Sequence, residues 1–235
     1  MFKKTGLYVV KDYLSTAQCD SLLESIADFR KSHELPTIYR PEMERSLKYM
    51  VIDGETVHQY FPQLEQLYSD VNKLVREVCS LDLVPLSNRT ATVNVNITPV
   101  TGEYRWHYDR NAVTAMLYLN EVAGGETEMY PNYRLYLGSK KHTRVQCWLD
   151  KLLRLSIILR RFGKKVTVTP RKGLLLVMRG DKCLHSVRPV RGQEERINVI
   201  MAFDTPGAVF PQQQNLDSYL YSLKSKPSFD PNYLK

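Results

Sequence analysis

The sequence predicts an α+β fold that is mainly β, with helices at the start of the chain and a barrel or sandwich of strands after them. Two long amphipathic patterns occupy the first 89 residues. From Thr90 onward, short runs rich in Val, Ile, Thr and Tyr are separated by Gly and Pro, which is typical of all-β domains. A chain of 235 residues can bury one good core, so we expect a single domain over 1–235.

The N-terminal part predicts one strand and two supporting helices. Residues 7–13 have the composition of a strand, and Ser15 is a suitable N-cap for a helix that runs to about Lys31. Apolar residues at helical spacing predict a second helix from Pro62 to Ser80. The mixed residues 34–56 predict a loop. The two helices within 1–89 would then brace one sheet of the domain.

Two segments far apart in the chain contain side chains suited to one metal ion. His107 and Asp109 lie at i and i+2, so a strand or its frayed end directs both side chains to one face. His185 lies much later in the chain. Two imidazoles and one carboxylate form the facial triad of non-haem Fe(II) sites, which leaves open coordination positions. By itself, His-x-Asp is more often a surface pair or a core histidine, so the flanking residues decide its meaning.

The flanking residues form a series of motifs in a fixed order. They are YRWHYD at 104–109, TAMLYLN at 114–120, GGETEMYP at 124–131, TPRKGLLLVMRGDKCLHSVRPV at 169–190 and ERINVIMAFD at 195–204. Over residues 90–204, with one insertion, the chain resembles the prolyl 4-hydroxylase-like branch of the Fe(II)/2-oxoglutarate oxygenases. Several motifs in order are far more specific than any one of them alone.

The resemblance implies a fold, a cofactor set and a reaction. Residues 90–204 would form a double-stranded β-helix, or jelly roll, with Fe(II) held by His107, Asp109 and His185. The co-substrates would be 2-oxoglutarate and O₂, and ascorbate would be able to stimulate turnover. The expected reaction is hydroxylation of an unactivated C–H bond of a small molecule, amino acid or peptidyl residue, with release of succinate and CO₂.

The resemblance also assigns residues to the distal carboxylate of 2-oxoglutarate. Arg196 stands where the family places a basic residue, and a guanidinium can bind a buried carboxylate through two hydrogen bonds. The gap between His185 and Arg196 is slightly longer than usual, which leaves Arg188 and Arg191 as alternatives. We expect Tyr118 to share this carboxylate, or to be a core tyrosine. Thr127 and Asn198 are further cofactor-binding candidates, since Asn198 shares a strand face with Arg196.

Three residues are candidates for contacts with the substrate. Tyr104 precedes the metal motif and would bind a substrate or brace the loop. Arg110 and Arg188 flank the expected mouth of the site, where they would suit an anionic substrate or remain solvated at the surface. Comparison with the family pattern places the valines of residues 93–97 inward, so Asn94 and Asn96 are left out of the predicted site.

One segment departs from the family pattern. Residues 132–165 replace a short loop, and the part that reads WLDKLLRLSIILRR predicts a helix. We expect this helix to pack on the barrel or cover the pocket mouth. Formation of a homodimer and binding at a membrane surface are the alternatives. Residues 205–235 are expected to form a C-terminal extension that wraps around the domain.

Composition limits the compartment and the partners. No apolar run approaches the ~20 residues of a transmembrane helix, and the N-terminus lacks a secretory signal. The four cysteines, Cys19, Cys79, Cys147 and Cys183, have no zinc spacing and are expected to be reduced, which favours a cytoplasmic protein. A net charge of +8 permits nucleic-acid binding, but the basic residues are not regularly interleaved with aromatic ones, so a nucleic-acid partner is not expected.

Other functions use some of the same residues. The same iron site could carry out oxidative cyclisation, desaturation or demethylation. A jelly-roll binding protein without catalysis would be expected to have lost at least one of His107, Asp109, His185 or Arg196, and all four are present. A metal hydrolase on a cupin-like barrel would give no role to the Tyr-Leu-Asn and Gly-Gly-Glu-Thr motifs.

Overall fold

The structure, a computed structural model, describes residues 2–41, 46–137, 143–208 and 220–223. Its helices are α1 (Phe2–Thr5), α2 (Thr16–Ser32), α3 (Gly54–Tyr60), α4 (Pro62–Cys79), α5 (Arg144–Leu153) and α6 (Ser156–Phe162). Its first strands are β1 (Leu7–Val10), β2 (Ile38–Arg40), β3 (Leu47–Ile52), β4 (Val84–Pro85), β5 (Val93–Thr98), β6 (Tyr104–His107) and β7 (Val113–Tyr118). The remaining strands are β8 (Ala123–Gly124), β9 (Thr127–Tyr130), β10 (Val166–Val168), β11 (Leu175–Met178), β12 (Leu184–Val187), β13 (Val190–Arg191) and β14 (Arg196–Asp204).

The strands form two main antiparallel sheets. The larger sheet has the order β1-β11-β7-β14-β5-β3-β2, with β4 paired to β14, and the smaller sheet has the order β10-β9-β12-β6. A short pair, β8 and β13, lies beside them. From β5 onward the chain crosses repeatedly between the two sheets, with β5, β7, β11 and β14 in the larger sheet and β6, β9, β10 and β12 in the smaller one. This is the arrangement of a jelly roll, so the predicted mainly-β double-stranded β-helix with helical support is confirmed.

The two predicted N-terminal helices brace the outer face of the larger sheet. Helix α2 begins after Ser15, whose side chain forms a capping box with Gln18. Helices α2 and α4 direct residues such as Ile26 and Leu64 into a core shared with β5, β7 and β14. The larger sheet is therefore covered by helices on one side and by the barrel interior on the other.

This double burial reverses the predicted orientation of β5. Val93, Val95 and Ile97 belong to the core under the helices, whereas Asn94 and Asn96 line a pocket inside the barrel. The prediction that the valines face inward is therefore wrong. A strand buried on both faces has no polar side to mark its orientation, and here the more apolar set packs against the helices.

The loop predicted for residues 34–56 is also wrong. This segment contains β2, β3 and the first turn of α3. Strand β3 pairs with β5, with Met50 opposite Ile97, so it extends the larger sheet. Its hydrogen-bond partners are remote in sequence, and such tertiary pairing can override a weak local pattern.

The insertion forms a helix pair on the outside of the barrel. The predicted single helix is divided into α5 and α6 at residues 154–155. Buried Arg134 anchors α5 through two hydrogen bonds to Asp150, at 3.1 and 2.6 Å. Arg154 donates a hydrogen bond to the carbonyl of Trp106 on β6. These contacts fit the prediction that the insertion packs on the barrel.

Among the residues that the structure describes, no helix has the length and apolarity needed to cross a membrane. Cys19, Cys79 and Cys183 are buried free thiols, as predicted, and the side chain of Cys147 lies outside the described part of the structure. Most of the predicted C-terminal extension also lies outside the described residues, apart from 205–208 and 220–223.

Candidate metal centre

Strand pairing brings the three predicted metal ligands together. His107 on β6 lies directly opposite His185 on β12, and the centroids of their rings are 4.0 Å apart. Asp109 follows the end of β6, and its backbone N–H donates to the carbonyl of Gly180 at 3.0 Å. One potential ligand atom from each of the three side chains lies within 4.8 Å of the others.

Both imidazoles are oriented by their Nδ1 atoms. The Nδ1 of His107 lies 2.9 Å from the carbonyl of Arg105, and that of His185 lies 3.0 Å from the carbonyl of Cys183. A hydrogen bond to a carbonyl requires the proton on Nδ1, which leaves the Nε2 lone pair available to a metal. Both Nε2 atoms face Oδ1 of Asp109, at 3.4 and 3.5 Å.

The Asp109 carboxylate is fixed through its other oxygen. Thr114 donates its hydroxyl hydrogen to Oδ2 at 2.5 Å, and Asn111 in turn donates to the Thr114 hydroxyl at 3.0 Å. A Cβ atom on Gly180 would lie 2.8 Å from Oδ2, so a side chain there would displace the carboxylate. Oδ1 is left facing the two histidines.

The protonation states of the site suit a cation. Burial opposes ionisation of Asp109, but His185, His107 and the Thr114 hydroxyl together hold the pKa of its carboxyl well below the usual value. Burial and the neighbouring His107 lower the pKa of His185 to about 4. One carboxylate and a neutral imidazole are the ligand forms that bind a divalent metal, so the donor set fits Fe(II).

A buried arginine lies in the wall of the same pocket. Arg196 is 1% exposed, and its Nη1 donates to the Asn198 amide oxygen at 2.5 Å. Its Nη2 donates to Thr127 at 3.2 Å, and the guanidinium lies 5.1 Å from the centroid of the Tyr118 ring. All four predicted cofactor-binding residues are therefore in one cluster. Within the described part of the chain, no carboxylate lies within ion-pair distance of Arg196.

This cluster has unused hydrogen-bond donors. Nε of Arg196 and the amide nitrogen of Asn198 are buried and make no hydrogen bond to the described residues. A buried cation without a partner is costly, and a carboxylate from a ligand would satisfy it. Gly125 adopts φ +64°, and a Cβ there would lie 2.9 Å from Cδ of Arg196, so the Gly-Gly motif gives this side chain its space.

The metal-ligand residues and Arg196 line one pocket with a cavity volume of about 120 Å³. Tyr104 and Arg110, both predicted substrate residues, also line it. Arg188 is not among its described lining residues. Its Nε lies 3.9 and 4.0 Å from carboxylate oxygens of Glu126 and Glu128, and its side chain is 44% exposed, which fits the alternative that it is solvated at the surface.

The pocket also contains residues that the sequence did not indicate. Asn94 and Asn96 form part of its floor, and Tyr49, Leu220 and Tyr221 close one side. The alternation of Asn with Val on β5 is visible in the sequence. Which of the two sets of side chains faces the pocket is not. The contribution of residues 220–221 depends on a contact across most of the chain, for which the sequence has no local sign.

Sequence comparison agrees with this geometry. Residues 93–203 match the family model of the 2OG-Fe(II) oxygenase superfamily, where 2OG is 2-oxoglutarate, and this match includes all three metal-ligand residues and Arg196. The barrel of this chain belongs to the 2OG-Fe(II) oxygenase superfamily. No protein with a curated description matches the sequence.

Solved 2OG-Fe(II) oxygenases share the fold at low identity. The epimerase SnoN from nogalamycin biosynthesis, in complex with Fe³⁺, α-ketoglutarate and nogalamycin RO, is similar with a TM-score of 0.69 and 14% identity, over 100% of this chain and 93% of that chain. A Pseudomonas putida prolyl-4-hydroxylase has a TM-score of 0.52 and 20% identity, over 88% and 96% of the two chains. HygX from Streptomyces hygroscopicus, with nickel and 2-oxoglutarate bound, has a TM-score of 0.60 and 13% identity, over 89% and 86%.

In this 2OG-Fe(II) oxygenase, the metal-ligand residues and the Arg196 cluster have different roles in the site. When bound, Fe(II) with 2-oxoglutarate and O₂ supplies the oxidant for C–H oxidation, with succinate and CO₂ as co-products. His107, Asp109 and His185 would hold the metal, and Arg196 would bind the distal carboxylate of 2-oxoglutarate.

The hydroxyl of Thr114 is expected to control metal affinity without binding the metal. Thr114→Val keeps the shape of the side chain but removes the hydrogen bond to Asp109, so the carboxylate can rotate. We expect a roughly 10- to 100-fold loss in Fe(II) affinity, measured by anaerobic metal titration. Thr114→Ser retains the hydroxyl and should bind Fe(II) almost as well as the wild type. Equal affinity in the Val and Ser variants would contradict a role for this hydrogen bond.

Proposed function

We propose that this protein is an Fe(II)- and 2-oxoglutarate-dependent hydroxylase of a small molecule that carries uncharged polar groups. The observation that carries the proposal is one pocket that contains both the His107, Asp109 and His185 cluster and the buried Arg196, which has no carboxylate partner among the residues that the structure describes. The first group suits Fe(II), and the second suits the distal carboxylate of 2-oxoglutarate.

An aromatic wall on one side of the pocket supports a small molecule as the substrate. Tyr49 donates its hydroxyl hydrogen to the carbonyl of Leu220 at 2.5 Å, and Leu220 and Tyr221 both line the pocket. Tyr104, whose ring centroid lies 5.2 Å from that of Tyr49, continues the same wall. A peptide that crosses the site would need an open groove on this side, whereas a compact molecule would not.

Two amides on β5 support an uncharged polar substrate. Asn94 is 5% exposed, and its side chain makes no hydrogen bond to the residues that the structure describes. Asn96 accepts a hydrogen bond from Thr98 at 3.3 Å, which leaves its NH₂ group available. A buried amide needs partners, and hydroxyl or carbonyl groups of a substrate would provide them. Arg110 in the same pocket would also accommodate an anionic group.

The first test is independent of the substrate. Anaerobic addition of 2-oxoglutarate to the Fe(II) protein should produce the visible charge-transfer band of the chelate, and O₂ should then release succinate. Absence of the band at saturating Fe(II) would overturn the proposal. A binding protein without catalysis would produce no succinate, and a metal hydrolase would not require 2-oxoglutarate.

Product analysis distinguishes hydroxylation from the other oxidative outcomes. SnoN is named as an epimerase and SnoK as a carbocyclase, so this fold carries more than one outcome. We propose hydroxylation here, for which the product gains one oxygen atom from O₂. A product with two hydrogens fewer, or with the same composition as the substrate, would instead indicate desaturation or cyclisation in the first case and epimerisation in the second.

Asn94→Val is expected to separate substrate binding from co-substrate binding. The substitution keeps a β-strand residue of similar size but removes the amide, so substrate groups lose a hydrogen bond. We expect kcat/KM for the substrate to fall by about tenfold or more, while the Fe(II)/2-oxoglutarate band is unchanged and more succinate is released per product. Asn72→Leu on α4, outside the pocket, is the control and should leave all three measurements unaltered.

We also infer that the protein works in a reducing compartment such as the cytoplasm. Burial raises the pKa of Cys79 to about 12, and Cys19 and Cys183 are equally buried thiols rather than partners in a disulfide. Treatment with a thiol reagent under native conditions should leave these three cysteines unmodified.

A further inference from the structure

Helix α5 buries two polar side chains and exposes two large apolar ones. Its polar residues Gln146 and Asp150 are buried, where Gln146 donates to the carbonyl of Leu135 and Asp150 binds Arg134. Its apolar residues Val145 and Trp148, at i and i+3, are exposed, and Trp148 is 63% exposed. The helix therefore exposes part of its apolar side, while its leucines are half-buried and its buried polar residues fasten it to the barrel.

Exposed apolar side chains continue through the rest of the insertion. Ile157 and Phe162 of α6 are 80% and 75% exposed. We define the insertion patch as the exposed apolar residues of this segment: Leu135, Leu137, Val145, Trp148, Leu155, Ile157 and Phe162. Elsewhere in the described chain, the exposed large apolar residues are Val9, Tyr39, Tyr60 and Leu223, which are scattered through the sequence. A concentration of this kind marks an interaction surface.

The charge around the insertion patch is strongly positive. Residues 134–165 contain ten lysines and arginines and a single acidic residue, Asp150, so the rest of the chain is almost neutral. Asp150 is already paired with Arg134. Lys151, Arg161 and Lys164 are exposed beside the apolar residues of the two helices. A partner must therefore accept both apolar side chains and a large excess of positive charge.

We propose that the insertion patch docks on an anionic phospholipid membrane. A membrane surface accepts Trp, Ile and Phe at the boundary between headgroups and acyl chains, and anionic headgroups attract the surrounding lysines and arginines. A second copy of the chain would cover the apolar residues but would bring two clusters of like charge together. A nucleic acid would match the charge but would leave the aliphatic residues exposed.

The docked surface is connected to the wall of the pocket. The Arg134 guanidinium, which anchors α5, lies 4.8 Å from the ring centroid of Tyr108, and Tyr108 lines the pocket next to Asp109. Arg154 joins the helix pair to β6, the strand that carries His107. Docking through the insertion would thus hold the metal-bearing edge of the barrel close to the membrane. The proposal does not depend on the proposed reaction.

Co-sedimentation of the full-length protein with vesicles tests the proposal. The vesicles are phosphatidylcholine alone, or an equimolar mixture of phosphatidylcholine and phosphatidylglycerol, at physiological ionic strength. We expect binding to the mixed vesicles, little binding to phosphatidylcholine, and weaker binding at high salt. Absence of binding to the mixed vesicles, or equal binding to both, would overturn the proposal.

Paired variants identify the binding surface. Trp148→Gln/Ile157→Gln removes apolar anchors, and Lys151→Gln/Arg161→Gln/Lys164→Gln removes three positive charges. Each basic side chain near an anionic surface strengthens binding about fivefold, so the triple variant should lose roughly a hundredfold in partitioning. Val9→Gln/Tyr39→Gln and Lys3→Gln/Lys11→Gln are matched controls from exposed positions outside the insertion and should bind like the wild type.

Three further measurements distinguish the membrane from the other partners and confirm that the variants are folded. Light scattering should give the same mass for the wild type and Trp148→Gln/Ile157→Gln. A dimer that this variant dissociates would show that a second copy covers the patch and would overturn the proposal. Binding of a single-stranded oligonucleotide that outcompetes the mixed vesicles would do the same. The 2-oxoglutarate-dependent thermal shift should be retained in every variant.

Discussion

His185→Ala is expected to reduce 2-oxoglutarate turnover to background. The side chain supplies one of three ligand atoms, and its Nε2 lies 3.5 Å from Oδ1 of Asp109, so no neighbouring group of the described site replaces it. Water would fill the vacated position and leave two protein ligands. Succinate release in saturating Fe(II) measures the loss, and direct Fe(II) titration should show weaker binding.

The loss should be one of chemistry and not of folding. His185 lines the pocket instead of the core under the helices, so the melting temperature of the metal-free variant should stay close to that of the wild type. His107→Ala and Asp109→Ala should behave in the same way. His58→Ala, an exposed histidine on α3 beside Glu65, is the matched control and should be fully active. Turnover in His185→Ala at the level of His58→Ala would remove His185 from the metal site.

The sequence predicted the metal ligands because their geometry is largely local. His107 and Asp109 are two residues apart, and a strand end is enough to direct them to one side. His185 reaches the site because β12 pairs with β6, two strands that are far apart in the sequence. Residue patterns alone could not predict this pairing. The order of the family motifs identified His185 as the third ligand instead. The same order placed Arg196 in the cofactor cluster despite the longer gap before it.

The substrate side of the pocket was less accessible to sequence reasoning. On β5, Asn and Val alternate, and this period fixes which residues share a face but not which face lies inside the barrel. Helices α2 and α4 determine the orientation of β5, because they form an apolar core with the valines. Asn94 and Asn96 then face the pocket inside the barrel. The orientation of β5 therefore depends on contacts between segments that are remote in the sequence.

The orientation of the insertion helices also could not be predicted from the sequence. Its composition predicts a helix, and a helix with one apolar side is expected to bury that side. In the structure, two polar residues of α5 are buried as well, because Asp150 binds buried Arg134 and Gln146 donates to the carbonyl of Leu135. These tertiary contacts, and not the apolar pattern alone, fix the orientation of α5.

Arg196→Ala is expected to weaken 2-oxoglutarate binding far more than Fe(II) binding. The substitution removes the buried cation from the Tyr118, Thr127 and Asn198 cluster and would leave the distal carboxylate of 2-oxoglutarate without a charged partner. Loss of one member of a buried ion pair costs about 3–5 kcal/mol, which corresponds to roughly two to three and a half orders of magnitude in affinity. Arg196→Lys keeps the charge but loses the bidentate geometry, so an intermediate loss is expected.

Two measurements separate this effect from damage to the fold. In the wild type, 2-oxoglutarate at about a hundred times its dissociation constant should stabilise the metal-loaded protein by about 2.7 kcal/mol, and this thermal shift should disappear in Arg196→Ala. Fe(II) affinity, measured without 2-oxoglutarate, should remain close to that of the wild type, because the metal ligands lie on other strands. Arg188→Ala and Arg191→Ala are matched controls, since neither lines the described pocket. An unchanged 2-oxoglutarate affinity in Arg196→Ala, together with a loss in either control, would transfer the carboxylate-binding role to that arginine.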